Sequence, residues 1–168
     1  MKHYILALIC LLITACGFHL RDSIAFAPED NAMYLDALNV PNDSVNTLRR
    51  SLKGAGIHFV PLNDASLILK ITKLEFQQQL INISGNTQVR NYQLNYILQF
   101  QVLDQSGMTL LIPKEINIVS MYASNDNQLL GDADVLAYKR QSMQNAAVAQ
   151  LIERLNVLAK QRHSLHAT

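Results

Sequence analysis

This 168-residue sequence has only two cysteines, and both lie near its start. Cys10 falls inside an apolar run and Cys16 just after it. If that run is removed as a leader and Cys16 is modified, no thiol remains for a disulfide, and the core must hold by packing alone. A strong charge is also missing: the formal net charge is +1. Nucleic-acid binders carry a basic excess, so that balance argues against one. Beyond the first 16 residues no apolar run reaches the length of about 18 residues that marks a membrane-spanning helix. Catalytic signatures are absent too. There is no Gly-x-Ser-x-Gly elbow, no His-Glu-x-x-His and no Cys-x-x-Cys. Gly54-Ala55-Gly56 lacks the Gly-Lys-Ser/Thr ending of a phosphate loop and follows a helical pattern. Of the five histidines only His163 and His166 are close together. The reading is therefore of a chain without metal or cofactor that is not an enzyme.

The start of the chain holds the most specific pattern. Lys2 precedes an apolar run over residues 4–13, and Ile13-Thr14-Ala15 leads into Cys16-Gly17. Basic start, short apolar middle and small-residue exit read as a secretory signal peptide over residues 1–15. A cysteine at the exit makes it a lipoprotein signal, with Cys16 as the lipid attachment point. Cleavage before Cys16 leaves 153 of the 168 residues, enough for one ordinary domain. It also removes Lys2, taking 14 bases to 13 against 13 acids. Several acyl chains together make a lasting anchor, where one holds only marginally.

Residues 16–30 read as a lipidated tether and residues 31–160 as a single domain. Residues 33–38 suit a strand. Asp43 or Ser44 is placed to cap a helix, with Val45, Leu48 and Leu52 on one face and Gly54 or Gly56 as a left-handed stop. Residues 57–61 make a brief extended piece. In residues 67–76 the apolar phase changes between Ile71 and Leu74, which a bulge near Thr72-Lys73 would reconcile. Residues 84–87 are turn chemistry. Over residues 91–102 apolar and amide side chains alternate, the clearest strand pattern in the chain. Residues 109–122 return, with Pro113 marking an edge or a bulge. A helix follows over about residues 135–160, with Leu136, Met143, Ala147, Leu151, Leu155 and Leu158 as a core stripe. Asp132 and Asp134 precede it, where acids suit the positive end of the helix dipole. Residues 161–168 read as a flexible tail. The order β-α-β-β-β-α predicts a two-layer α+β domain, with two helices on one face of a four-stranded sheet.

Two surfaces are candidates for function. Gln93, Asn95, Gln99 and Gln101 share one face of the central strand, and residues 77–79 add three glutamines nearby. Amides donate and accept and cost less to desolvate than charges, so this face reads as a partner surface or as a solvated one. From residue 135 onward five bases stand against one acid. That basic end either meets an anionic ligand or is a solvated helix face.

Cys16-Gly17-Phe18-His19-Leu20-Arg21 resembles the start of mature LptE lipoproteins, which assemble lipopolysaccharide. Arg49-Arg50-Ser51-Leu52, Gly56-Ile57, Tyr92-Gln93-Leu94 and the segment from Ala147 to Leu155 are similar to that family's helices and central strand. The resemblance implies an outer-membrane lipoprotein on the periplasmic side. It would plug an LptD-type β-barrel, help that barrel fold and help deliver lipopolysaccharide. Gly17, in place of Asp, agrees with outer-membrane sorting. The resemblance also implies basic lipopolysaccharide contacts near the middle-strand loop and the start of the last helix. Arg90, Lys139 and Arg140 are the candidates here. The match departs from the family's pattern in having one base over residues 84–90, and Asp132 and Asp134 before Lys139. A structural subunit of another envelope assembly, such as pilus or cell-wall machinery, is the alternative.

Overall fold

A central strand flanked by two antiparallel neighbours organises the computed structural model, which describes residues 32–38, 40–83, 89–125 and 129–166. The expected signal peptide over residues 1–15, Cys16, the expected tether and the expected turn at residues 84–87 lie outside the described residues. In chain order the elements are β1 (Ala32–Asp36), α1 (Asn42–Gly54), β2 (His58–Phe59), β3 (Leu67–Ile83), β4 (Val89–Asp104), β5 (Thr109–Asn125) and α2 (Leu129–His166), with a short 3-10 turn at Leu62–Asp64. The sheet order is β2-β1-β3-β4-β5. β1 runs parallel to β2 and β3, and β3, β4 and β5 form an antiparallel meander. Parallel neighbours need a crossover, and α1 supplies it between β1 and β2.

The α+β reading holds, with five strands in place of four. The additional strand is the extended piece at residues 57–61. Two residues of it pair with β1, Ala32 to His58 and Met33 to Phe59. Neither Asp43 nor Ser44 caps α1. The helix starts one residue after Pro41, whose carbonyl accepts from the Val45 N–H at 3.1 Å, and no side chain caps it. Asp43 lies in the first turn, where its charge suits the dipole. The stop is at Gly56, with φ 97°. Ile57 N–H donates to Leu52 O and Gly56 N–H to Lys53 O, the paired bonds of a Schellman ending. Gly54 is the last helical residue.

The phase change in β3 is a bulge where expected: the register with β4 slips between Ile71 and Lys73. A second slip falls between Leu80 and Asn82. The first slip returns Leu74 to the face of Leu67, Leu69 and Ile71, and all four are buried. Pro113 lies on an outermost strand and also beside a slip, since Phe100 pairs with Lys114 but Val102 with Leu111. The ladder thus loses nothing to the missing N–H.

α2 is longer than the periodicity predicts. It takes in residues 129–134 before the expected start and residues 161–166 of the expected tail. Its 38 residues span about 57 Å, and the 17 residues of β5 about 56 Å. The helix therefore runs the length of the meander. Met143, Ala147, Leu151, Leu155 and Leu158 are buried and Leu136 partly so. They meet Leu48 and Leu52 of α1 and Leu94, Leu98, Phe100 and Val102 of β4 in a single core cluster. Both helices cover the same sheet face, and among the described residues no element covers the other.

Candidate functional site

Register decides what the bare face carries. Across the three long strands the rows read Lys73–Gln99–Glu115, Glu75–Ile97–Asn117, Gln77–Asn95–Val119 and Gln79–Gln93–Met121. Gln101 lies opposite Lys70. The four amides singled out from sequence, Gln93, Asn95, Gln99 and Gln101, are thus brought together on one surface. They are not freely solvated. Strands on both sides shield them, and Asn95 is only 9% exposed. Gln93 Nε2 donates to Asn95 Oδ1 at 3.1 Å, and Gln99 Nε2 donates to Glu115 Oε2 at 2.6 Å. Lys73 pairs with Glu75 at 2.9 Å, and its hydrogen bond holds the Glu75 carboxyl below the usual carboxylate range. Charge gathers toward one end of this face, around Gln99 and Gln101, while the rows of Asn95 and Gln93 carry no charge.

Sequence reasoning missed two members of the surface. Val119 and Met121 are 54% and 62% exposed and sit beside Asn95 and Gln93. Their signal was present in β5: with Ile116, Ile118 and Tyr122 facing the core, the odd positions had to face outward. The result is an amide field with exposed apolar side chains along one border. A surface of that kind can hydrogen-bond a polar wall and also bury apolar area.

The three bases lie on the helix-covered side and do not converge. Lys139 reaches β5, its Nζ donating to Ser120 Oγ at 3.4 Å. Arg140 turns toward β3, its guanidinium lying 5.3 Å from the Phe76 ring centre, which is cation–π range. Arg90 pairs with Ser124 at the far end of β4. Arg90 and Tyr96, the neighbour of Arg140, are six positions apart on one strand, about 20 Å. Burial pushes the Tyr96 hydroxyl up to about 12, opposed by the charge of Arg140. Beside Arg140 an open groove of about 420 Å³ is lined by Asp43, Ser44, Thr47, Phe76, Leu136 and Gln144, among others.

Asp132 has a definite structural task. Its carboxylate accepts from the Ser124 hydroxyl, and its backbone carbonyl accepts from Tyr122 Oη at 3.2 Å. Burial, then Asp132, raises the Tyr122 pKa. Tyr122 also stacks on Tyr92, ring centres 6.1 Å apart. These contacts pin the first turn of α2 to β5. Among the described residues no three His, Cys, Asp or Glu side chains gather as a metal site would require, and no helix is long and apolar enough to cross a membrane.

A family model described as LptE, lipopolysaccharide-assembly, matches residues 24–155. The chain belongs to the LptE family. A relative in that family, the LPS-assembly lipoprotein LptE of Yersinia enterocolitica, is 27% identical over 164 residues, 94% of this chain and 78% of that protein. The fold is similar to the solution structure of lipoprotein B from Nitrosomonas europaea, with TM-score 0.71 and 21% identity over 86% of this chain and 93% of that one. The rare lipoprotein B from Shewanella oneidensis gives TM-score 0.59 at 16% identity, over 80% of this chain and 98% of that one. At such identities these structures speak for the fold alone: the LptE-family chain shares their overall fold.

Proposed function

We propose that the chain is a non-enzymatic lipoprotein of lipopolysaccharide assembly, acylated at Cys16 and held on the periplasmic side of the outer membrane. Its amide face packs inside an LptD-type β-barrel, which it plugs and helps to fold. The observation that carries this reading is the bare face itself. Gln93, Asn95, Gln99 and Gln101 form a row of neutral hydrogen-bonding side chains backed by a packed core, with Lys73, Glu75 and Glu115 beside it at one end. A barrel lumen is polar, and amides meet a polar wall without stranding a buried charge. Family membership supports the assembly role.

Photoreactive residues placed at Gln93, Gln99 and Val119 in living cells test it. Crosslinks from these positions to a large outer-membrane barrel are expected, with few from helix-side positions such as Glu153. Crosslinks to a pilus or cell-wall component would favour a structural role in another envelope assembly. Replacing Cys16 by Ser should leave the protein unprocessed and outside the outer-membrane fraction.

Lipopolysaccharide contact through Arg90, Lys139 and Arg140 is a second reading, favoured by the basic bias of the last helix. Because the three bases are spread along the sheet, they would meet separate anionic groups and not clamp one phosphate. Replacing them singly should then weaken binding in separate, roughly additive steps.

A further inference from the structure

The two long open sides of the sheet differ in how they are protected. β1 pairs with β3 only as far as Lys70, so among the described residues the rest of β3 has no strand on that side. There the strand carries Lys73, Glu75 and both register slips. Charges and bulges of this kind blunt an edge against pairing with other chains. Among the described residues β5 is the outermost strand at the opposite side. Its first half is blunted in the same way, by Pro113, Lys114, Glu115 and two slips. Its second half is not. From Ile116 to Asn125 it pairs residue for residue with β4 and contains no proline and no charged side chain. Ten regular residues span about 33 Å, and every second backbone N–H and C=O along them points away from the sheet. Val119 and Met121 stand exposed on one side of this edge.

One charge is held over that edge from outside the strand. Lys139 Nζ, on α2, lies 3.4 Å from Ser120 Oγ, midway along the regular stretch. We propose that residues 116–125 are a docking edge for an extended strand of a partner protein that presents an acidic side chain opposite Ser120, where it pairs with Lys139. Only an extended backbone satisfies the outward N–H and C=O groups together, which makes the occupant a strand. Lys139 selects its chemistry, because a carboxylate there gains an ion pair whereas a base meets like charge. A second copy of this chain is a poor occupant: antiparallel pairing centred on Ser120 sets one Lys139 against the other. Val119 and Met121 receive the partner's alternate side chains as cross-strand neighbours. The edge shares Val119 and Met121 with the border of the amide face, but its outward backbone groups and Lys139 lie off that face, so the proposal does not depend on what covers the amides.

The test uses the full chain, isotope-labelled in detergent micelles, and two synthetic peptides. Both are nine residues long and alternate valine with threonine; one has a central glutamate and its twin a central lysine. The glutamate peptide is expected to slow exchange of the outward amides of residues 116–124 and to bind about tenfold tighter than its twin, as a close charge pair allows. Lys139→Gln should reduce that preference to about threefold or less while leaving the amide spectrum elsewhere unchanged. Slowed exchange on the open side of β3 in place of β5, no slowing at all, or a preference that survives Lys139→Gln would each overturn the proposal. So would a dimer of the unaltered chain joined through β5.

Discussion

β4 has two faces of nearly equal length and opposite character. On one, Leu94, Leu98, Phe100 and Val102 are fully buried beneath the helices. On the other, amides sit buried or half-buried, hydrogen-bonded along and across the strands, and among the described residues no element lies above them. The strand is the same and only the side-chain parity differs. The first face is occupied by the chain's own helices and decides whether the domain folds. The second is satisfied only laterally, so it can change with little cost to the fold and more to association. Stability and recognition are thus divided between alternate residues of one strand.

Substitution on the buried side should have the largest effect on stability. Leu98→Ala, like Leu151→Ala on the facing helix, should lose about 2–5 kcal/mol, read from urea unfolding. The polar group on that same buried side sharpens the contrast through pH. The Tyr96 hydroxyl is raised to about 12 in the folded chain. An unfolded tyrosine ionises near 10, so its folded state holds the proton more tightly. Its contribution is complete below pH 10 and is lost as pH rises from 10 toward 12. Unfolding at pH 11 should show about 1 kcal/mol of lost stability, and Tyr96→Phe should flatten that decline.

Tyr122→Phe removes the bond to the Asp132 carbonyl and should cost about 0.5–1.5 kcal/mol. Faster amide exchange in the first turn of α2 would report it locally. The bare side should give the smallest stability changes. Gln93, Gln99 and Gln101 replaced singly by Ala should each stay within about 0.5 kcal/mol of the parent. Co-purification of the outer-membrane barrel with the triple variant should nevertheless fall severalfold. A triple variant that loses stability like Leu98→Ala would erase the division between the faces.

Much of this was legible before any coordinates. Alternation assigns both faces of β4, and the phase change between Ile71 and Leu74 locates the first bulge in β3. Other features were hidden for identifiable reasons. β2 was legible only as an extended piece over residues 57–61; its two paired residues are too short for any period, and it is a strand because β1 offers it an edge. The start of α2 carries Gly131, Asp132 and Asp134, which locally favour a turn; Tyr122 and Ser124 on the preceding strand hold Asp132 in the helix. Val119 and Met121 were legible by parity but only register brings them beside Asn95 and Gln93.

Residue order alone determined the α+β class, the core stripe of the long helix and the amide row, because periodicity and side-chain chemistry are local properties of a chain. The proposed acylation at Cys16 likewise rests on sequence alone. Tertiary structure decided which side of the sheet stays uncovered, which edge is left regular, and that Lys139 and Arg140, adjacent in sequence, reach different strands. Successive helical residues diverge by about 100°, so where each one ends up depends on what the helix packs against.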